Sequence, residues 1–240
     1  MDHSVAGKKT LIIGGSGGIG RQLSLELASR GADLTIHGRT DSPGFRQLCA
    51  QTGAKSLVFP LDSSTKRVIL EKATECTDIL CVAWGPFLSR KLHDTTAAEW
   101  ENVVSDNLIL PGQLVSAVLP GMMARGWGRI LLFGGTRTDA VRGFSSNPAY
   151  GAAKTALSSL TRSVAEHYGR FGITCNLICP GFVDTEYLTD VQRRELAAKN
   201  PDGTLISVKE IVSAAVCLVE SPSCNGVLLP VDRGWTPWSV

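Results

Sequence analysis

The chain has 240 residues, of which 43% are hydrophobic, and this composition predicts one compact domain with a large core, although two small domains would also fit. The formal net charge is only +2, which gives no indication of a nucleic-acid partner or of binding to an acidic membrane surface. We expect no apolar run to span a bilayer. The N-terminal MDHSVAGKK has no apolar signal-peptide region, so we expect a cytoplasmic protein.

Strand-like and helical segments alternate along the first half of the chain. Short apolar strands are predicted at residues 10–13, 34–36, 56–59 and 79–83. Helices are predicted at residues 19–30, at about 44–51 and from about residue 63 onward. Gly31 closes the first of these helices.

The second half continues the alternation with longer helices. Helical regions are predicted at residues 96–125, 148–168 and 207–219, and strands at 129–133, 173–178 and 227–229. Near-continuous apolar strands that alternate with helices are typical of a parallel sheet covered on both faces. We therefore predict a single α/β domain over residues 1–240, with a doubly wound parallel sheet of about seven strands.

A glycine-rich segment, GGSGGIG at residues 14–20, lies between the first predicted strand and the first predicted helix. Glycines allow a tight turn and close approach of the backbone to a diphosphate, and the helix N-terminus adds free N–H groups and positive potential. The spacing is G-x-x-x-G-x-G rather than the G-x-G-x-x-G of longer dehydrogenases. The place of the loop in the chain predicts a dinucleotide site.

Arg39 follows the second strand, at the point where NAD-binding proteins usually carry Asp or Glu. A guanidinium can pair with a 2′-phosphate, which a carboxylate would repel, so we predict NADP(H) as the cofactor. A solvated Arg at a strand end would show the same pattern. Asp62, after the third strand, is expected near the adenine, as an N-cap, or in both roles.

Tyr150 and Lys154 belong to the segment NPAYGAAK, which is predicted to open a helix with Pro148 in its first turn. Residues four apart project from one helical face. A cation beside a phenol lowers its pKa from the ordinary value of about 10. Such a pair can protonate a carbonyl oxygen or deprotonate an alcohol. A partly buried Tyr with a surface Lys has the same spacing, so the interpretation depends on the rest of the chain.

The order and spacing of three motifs resemble those of the short-chain dehydrogenase/reductase family, and the resemblance covers nearly the whole chain. The motifs are the glycine loop, Tyr150 with Lys154, and Pro180-Gly181. The resemblance implies a Rossmann-type domain, a nicotinamide cofactor and hydride transfer at a carbonyl or carbinol. It implies that Tyr150 is the catalytic tyrosine and that Lys154 also holds the nicotinamide ribose. The expected cofactor-binding residues are Gly14, Ser16, Gly17, Gly18, Ile19, Gly20, Arg39, Asp62, Gly85, Tyr150, Lys154, Pro180, Gly181, Val183 and Thr185.

Asn107 resembles the helix-borne asparagine of that family. Pro111, four residues later, has no N–H and cannot bond the Asn107 carbonyl, which is then free to hold a water. In the family such a water continues a proton path from the lysine ammonium to solvent. Alternatively, Pro111 only kinks the helix.

Three positions depart from the family pattern. Ile13 replaces the threonine before the first glycine, and Val82-Ala83-Trp84-Gly85 replaces the usual Asn-Asn-Ala-Gly. Counting back from Tyr150, the position expected for the family's carbonyl-polarising serine falls on Arg137. We interpret the loop that contains it as two residues longer than usual. We predict that the hydroxyl of Thr136, with Thr138 as the alternative, takes the place of the serine as a hydrogen-bond donor.

The substrate is expected at the carboxyl ends of the strands, with a substrate loop at about residues 182–206. We expect a mostly apolar pocket, lined by Phe87, Leu88, Val141, Phe144, Phe182, Tyr187 and Leu188. Arg137 and Arg142 are weaker candidates for a clamp on an anionic substrate. The aromatic tail at residues 232–238 is expected to roof the pocket or to contact another subunit of a homo-oligomer, a dimer or a tetramer.

Seven cysteines without a C-x-x-C pair predict reduced, mostly buried thiols, and four histidines without ligand spacing predict no metal. The sequence thus predicts an NADPH-dependent reductase of ketones or aldehydes, or the reverse alcohol dehydrogenase, with Tyr150, Lys154, Asn107 and Thr136 as catalytic residues. The main alternative is a dinucleotide-binding sensor or scaffold with little or no activity. Reduction of an activated double bond is less favoured, because such relatives usually separate the Tyr and the Lys by more residues.

Overall fold

The computed structural model describes residues 4–58, 60, 66–74 and 77–235 of the chain. The predictions for Asp62, for the start of the third helix near residue 63 and for the tail beyond residue 235 lie outside these residues.

A seven-stranded parallel sheet forms the centre of the molecule, in the order β3-β2-β1-β4-β5-β6-β9. Its strands are β1 (Lys9–Ile13), β2 (Asp33–Gly38), β3 (Lys55–Val58), β4 (Ile79–Val82), β5 (Gly128–Phe133), β6 (Ile173–Pro180) and β9 (Leu228–Val231). The order reverses between β1 and β4, so the loops after these strands open a crevice at their carboxyl ends. The predicted doubly wound Rossmann-type sheet is confirmed.

The described part of the chain contains eight α-helices. They are α1 (Gly18–Ser29), α2 (Pro43–Thr52), α3 (Lys66–Thr74), α4 (Ala97–Val104), α5 (Leu110–Arg125), α6 (Pro148–Tyr168), α7 (Asp190–Ala197) and α8 (Val208–Glu220). One face of the sheet packs against α1, α2 and α8, and the other against α3, α5 and α6. Because side chains alternate along a strand, Ile12 enters the first core while Leu11 and Ile13 enter the second.

Local sequence explains where several helices begin. Pro148 lies in the first turn of α6, where a missing N–H costs no hydrogen bond. Ser207 and Glu210 form a reciprocal capping box at the start of α8. These residues define where α6 and α8 begin, directly after two of the loops around the crevice.

The predicted helix at residues 96–125 is interrupted. A π-helical turn at Ser105–Ile109 separates α4 from α5, and Pro111 lies in the first turn of α5. π-helical turns accompany an inserted residue and often occur at functional sites. In place of the simple kink considered as the alternative for Pro111, the structure has a widened turn that contains Asn107.

The helical stretch Ala97–Arg125 is long and apolar enough to cross a membrane by length and composition. The expectation that no such run exists is wrong by this measure. Leu110, Leu114 and Val118 of this stretch are nevertheless buried against the sheet, as expected for a core helix.

The predicted loop at residues 182–206 contains structure that the sequence did not indicate. β7 (Val183–Asp184) and β8 (Ile206–Ser207) form a small parallel sheet, with α7 between them. The two ends of this segment are therefore held next to each other by strand pairing.

Candidate active site

A cavity of about 370 Å³ opens at the carboxyl ends of β4, β5 and β6, beside the start of α1. Nine of the predicted site residues line it: Ile19, Gly85, Thr136, Tyr150, Lys154, Pro180, Gly181, Val183 and Thr185. Residues that we predicted from distant parts of the sequence therefore converge on one space.

Tyr150 and Lys154 project from the first turns of α6 into this cavity. The ammonium of Lys154 lies 6.0 Å from the centre of the Tyr150 ring and is almost fully buried, with 3% of the residue exposed. It donates to the carbonyl of Phe133 at 2.8 Å and to that of Trp84 at 3.3 Å. Two carbonyls from the ends of β5 and β4 thus hold the cation in place.

The pKa values of this pair are set mainly by burial. Burial raises the pKa of Tyr150, the direction opposite to the one we expected from the neighbouring cation. Burial also lowers the pKa of Lys154 to about 8, because a low-dielectric surrounding disfavours its charged form. In this structure Tyr150 is therefore a neutral phenol at neutral pH.

Gly85 allows Asn107 and Lys154 to approach the same point. A Cβ atom at Gly85 would overlap the side-chain oxygen of Asn107 and lie 2.5 Å from the Lys154 ammonium nitrogen. Asn107 is fully buried and donates to the carbonyls of Pro86 and Val103, both at 3.1 Å. Its side-chain oxygen has no hydrogen-bond partner in the described structure, so an acceptor is available beside the ammonium.

The turn after β5 places Gly135, rather than a hydroxyl, against the tyrosine. A Cβ atom at Gly135 would lie 3.0 Å from Tyr150 Cε1 and 3.1 Å from its hydroxyl oxygen. Thr136 lines the cavity, but its hydroxyl donates to the carbonyl of Pro180 at 3.1 Å. Thr138 is buried, and its hydroxyl donates to the Gly135 carbonyl at 2.9 Å. In this arrangement, neither predicted hydroxyl has its proton free for a substrate.

The glycine loop is tightly constrained by its neighbours. Gly14 has φ +77°, and a Cβ atom there would lie 2.8 Å from the carbonyl oxygen of Ala83. The Gly14 N–H donates to Nδ1 of His37 at 3.3 Å, and the Gly15 N–H donates to the His37 carbonyl at 3.0 Å. The buried His37 therefore supports a loop whose usual threonine is replaced by the apolar Ile13.

An anion already occupies the helix N-terminus behind this loop. The Glu186 carboxylate accepts a hydrogen bond from the backbone N–H of Gly18 at 2.7 Å. A Cβ atom at Gly18 would lie 3.2 Å from the ring of Tyr187, so the segment after β7 covers the loop. A carboxylate at this position shows that the N-terminus of α1 accepts negative charge, and the residues present fit the diphosphate of a dinucleotide.

Arg39 lies exposed just after β2, near the glycine loop. A Cβ atom at Gly38 would lie 3.1 Å from Cβ of Ser16, so the strand end and the loop are in direct contact. The guanidinium also acts electrostatically on the hydroxyl of Tyr187. These positions suit a phosphate attached to the adenosine ribose.

The predicted apolar pocket is only partly formed. Of its seven residues, only Phe87 lines the cavity, where its ring packs edge-on against Tyr150 with centroids 5.0 Å apart. Val141 is 93% exposed, so its assignment to the pocket is wrong. Phe182 instead packs against Trp235 of the tail, with centroids 4.9 Å apart.

The arginine clamp is also incomplete. Arg142 forms an ion pair with Asp139 at 2.6 Å and donates to the Arg137 carbonyl, so it is engaged within its own loop. The guanidinium of Arg137 lies 6.0 Å from the ring centre of Trp235. Trp235 therefore packs near residues that directly follow the cavity-lining Thr136 and Gly181, and the roof expected of the tail stays a prediction.

Sequence reasoning missed three residues that shape this site. His37 supports the glycine loop, Glu186 occupies its anion position, and Gly135 faces the tyrosine. Gly135 could have been found from the loop that we inferred to be two residues longer than usual. With that insertion, the expected serine position moves from Arg137 to Gly135. No local pattern marks the other two.

Comparisons with known proteins identify relatives of the chain. A family model described as enoyl-(acyl carrier protein) reductase matches residues 14–236. The chain is 32% identical over 239 residues to the Escherichia coli 3-oxoacyl-(acyl-carrier-protein) reductase FabG, covering 95% of this chain and 97% of the relative.

Solved structures show the same fold. A short-chain dehydrogenase/reductase family protein superposes with a TM-score of 0.85 at 29% identity, covering 96% of this chain and 98% of its own. A Beutenbergia cavernae protein, named as a candidate NAD(P)-dependent gluconate 5-dehydrogenase and crystallised with NADP, gives a TM-score of 0.85 at 27% identity. That likeness covers 98% of this chain and 99% of the other.

Proposed function

Because the chain belongs to the short-chain dehydrogenase/reductase family, we propose that it is an NADP(H)-dependent oxidoreductase that interconverts a ketone or aldehyde and the corresponding alcohol. The observation that carries this proposal is the meeting of Tyr150 and Lys154 in the cavity at the carboxyl ends of the central strands. Parallel α/β sheets bind their ligands at this edge.

We assign the proton to Tyr150. Burial keeps its phenol neutral at neutral pH, so the hydroxyl is in the form that can donate to a carbonyl oxygen. This state supports reduction more directly than alcohol oxidation, which needs the phenolate. When bound, the nicotinamide cofactor supplies or accepts the hydride.

Lys154 would hold the ribose and restore the proton that Tyr150 gives up. Its lowered pKa, about 8, makes the ammonium a better acid than an exposed lysine. The unpartnered side-chain oxygen of Asn107 is available to accept a bond from a water between this ammonium and solvent. The proposed relay therefore has an acceptor on the Asn107 side chain. This acceptor is in addition to the Asn107 backbone carbonyl, which we expect to be free because Pro111 has no N–H to bond it.

The cofactor-binding residues would be those of the loop between β1 and α1, Arg39 after β2, and the cavity residues Gly85, Pro180, Gly181, Val183 and Thr185. The choice of NADP(H) depends on Arg39 and on the absence of a carboxylate there. The solved relative crystallised with NADP supports this choice. The expected homo-oligomer and the cytoplasmic location stay predictions.

Reduction of a double bond is the second candidate, because the matching family model is described as an enoyl reductase. The four-residue spacing of Tyr150 and Lys154 favours the carbonyl. The relatives reported above, one named a reductase and one a dehydrogenase, give no support to an inactive sensor.

A substrate panel tests the proposal. NADPH oxidation would be followed with ketones, aldehydes, 3-oxoacyl thioesters and enoyl thioesters. We expect turnover of carbonyl compounds and little turnover of enoyl thioesters. Turnover of the enoyl compounds alone would overturn the carbonyl assignment, and NADPH binding without turnover of any compound would favour the sensor.

A further inference from the structure

The reacting carbonyl oxygen needs a second hydrogen-bond donor beside Tyr150, because donors aimed at a developing oxyanion lower the barrier substantially. A Cβ atom at Gly135 would lie 3.1 Å from the tyrosine hydroxyl oxygen, but glycine supplies no side-chain donor. Its backbone N–H is also engaged, since it donates to the Thr138 hydroxyl at 2.8 Å.

The two threonine hydroxyls nearby are occupied as donors. A hydroxyl carries one proton, and that of Thr136 goes to the Pro180 carbonyl while that of Thr138 goes to the Gly135 carbonyl. The bond from Thr136 also joins the turn after β5 to the end of β6.

Asn147 offers a donor in the same space. It lines the cavity and occupies the N-cap position of α6, three residues before Tyr150. Most N-cap side chains bond the first turn of their helix, but the side chain of Asn147 makes no capping bond. Its backbone carbonyl is instead anchored by the N–H of Gly151 at 2.8 Å.

The orientation of the Asn147 amide leaves its N–H₂ group open. The side-chain oxygen accepts a bond from the Ser146 hydroxyl at 3.5 Å. The amide nitrogen donates no hydrogen bond to any residue that the structure describes. The residue is partly exposed and lines the cavity, so this donor is accessible to a ligand there.

We propose that the side-chain amide of Asn147 donates a hydrogen bond to the carbonyl oxygen of the substrate, in the role that the sequence assigns to Thr136. This inference rests on the proposed function. The carbonyl carbon accepts hydride from NADPH, which is oxidised to NADP⁺, and the π electron pair moves to oxygen. That oxygen takes the proton of Tyr150, while Asn147 keeps both of its own protons.

Kinetics of Asn147→Ala test this role. With a carbonyl substrate of the wild type, we expect kcat to fall by about 10²–10³, the usual loss for one oxyanion donor. NADPH affinity and Tm should stay close to wild type, because the side chain makes no capping bond. Ser145→Ala, at an exposed residue two positions earlier, is the matched control and should keep wild-type kcat.

Asn147→Asp adds a readout that a structural role would not give. Its carboxylate can only accept hydrogen bonds at neutral pH, so the loss in kcat should equal or exceed that of the alanine variant. Activity should return in part as the pH falls and the carboxyl becomes protonated. The wild type should show no such rise.

Thr136→Val separates the two candidate donors. We expect the loss in Asn147→Ala to exceed that in Thr136→Val at least tenfold, and the reverse order would overturn the inference. An Asn147→Ala enzyme within about threefold of wild type would also overturn it. If Tyr150→Phe remained fully active, the proposed function itself would fail, which distinguishes the two failures.

Discussion

The carboxylate of Glu186 and the backbone N–H of Gly18 are hydrogen-bonded at 2.7 Å, although the two residues lie 168 positions apart in the sequence. The N–H belongs to the first turn of α1, where positive potential attracts anions. The contact places a negative side chain in the region proposed for the cofactor diphosphate. We therefore predict that cofactor binding displaces Glu186.

Replacing Glu186 by Gln should tighten NADPH binding. The amide keeps the shape of the side chain but removes the charge that competes with the diphosphate, and charge-assisted bonds exceed neutral ones by roughly 1 kcal/mol. We expect the Kd for NADPH, measured by nucleotide fluorescence, to fall by about fivefold, the change that corresponds to roughly 1 kcal/mol. Glu195→Gln, at an exposed residue of α7, is the control and should leave Kd unchanged. An unchanged or higher Kd for Glu186→Gln would contradict a competing role.

Adding a methyl group at Gly85 should disrupt the catalytic lysine. The new Cβ atom would overlap Asn107 and lie 2.5 Å from the Lys154 ammonium nitrogen, and Gly85 has φ +156°, which side chains rarely adopt. We expect Gly85→Ala to lower kcat by at least about 10², because small displacements of catalytic groups have effects of this size.

Gly112→Ala is the matched control for the Gly85 variant. A Cβ atom at Gly112 meets nothing within 4 Å, and the residue lies in α5, where Ala is favoured over Gly by up to about 1 kcal/mol. This variant should keep its activity and show an equal or higher Tm. Full activity in Gly85→Ala would show that the lysine does not need its present position.

Exchanging the charge of Arg39 tests the choice of cofactor. Arg39→Glu should repel the 2′-phosphate and raise KM for NADPH at least tenfold, while KM for NADH should change little or fall. Arg46→Ala, on α2, is the control, since that guanidinium already pairs with Asp41 at 3.2 Å. Equal effects of Arg39→Glu on the two cofactors would contradict the assignment.

The buried Lys154 should give the stability of the protein a defined pH dependence. Its pKa is about 8 in the folded chain against an ordinary value of 10.5, so between these pH values the unfolded chain binds more protons. The cost of burying the charge is present in full below pH 8 and disappears as the pH rises toward 10.5. Relative to Lys154→Met, the wild type should gain about 2 kcal/mol of unfolding free energy between pH 8 and pH 10.

Urea denaturation of both proteins across this pH range measures that difference. Parallel curves for the wild type and Lys154→Met would show that the lysine titrates normally in the folded protein. The methionine variant should have no detectable turnover at any pH, because it cannot hold or relay the proton.

The sheet could be predicted from sequence because its strands are short apolar runs that alternate with helical periodicity. Tyr150 and Lys154 could be predicted to share a helical face because their spacing alone fixes it. The π-helical turn around Asn107 could not, since it depends on an inserted residue inside an otherwise regular helical pattern.

Features that depend on tertiary contacts were beyond the sequence. The direction of the Tyr150 pKa shift follows from burial, whereas the sequence showed only its charged neighbour. The contact of Glu186 with Gly18 joins two loops that carry no shared pattern. Gly135 was only partly accessible to sequence reasoning, because counting back from Tyr150 reaches Arg137 and the inferred two-residue insertion must be applied to reach Gly135.

The central claim is that Tyr150 transfers the proton in a site that binds NADPH. Turnover and NADPH affinity of Tyr150→Phe, measured with a carbonyl substrate of the wild type, test it most directly. The variant keeps the ring that packs against Phe87 and loses only the hydroxyl. We predict loss of turnover by at least about 10³ with NADPH affinity within a few fold of wild type. Undiminished turnover in this variant would contradict the account.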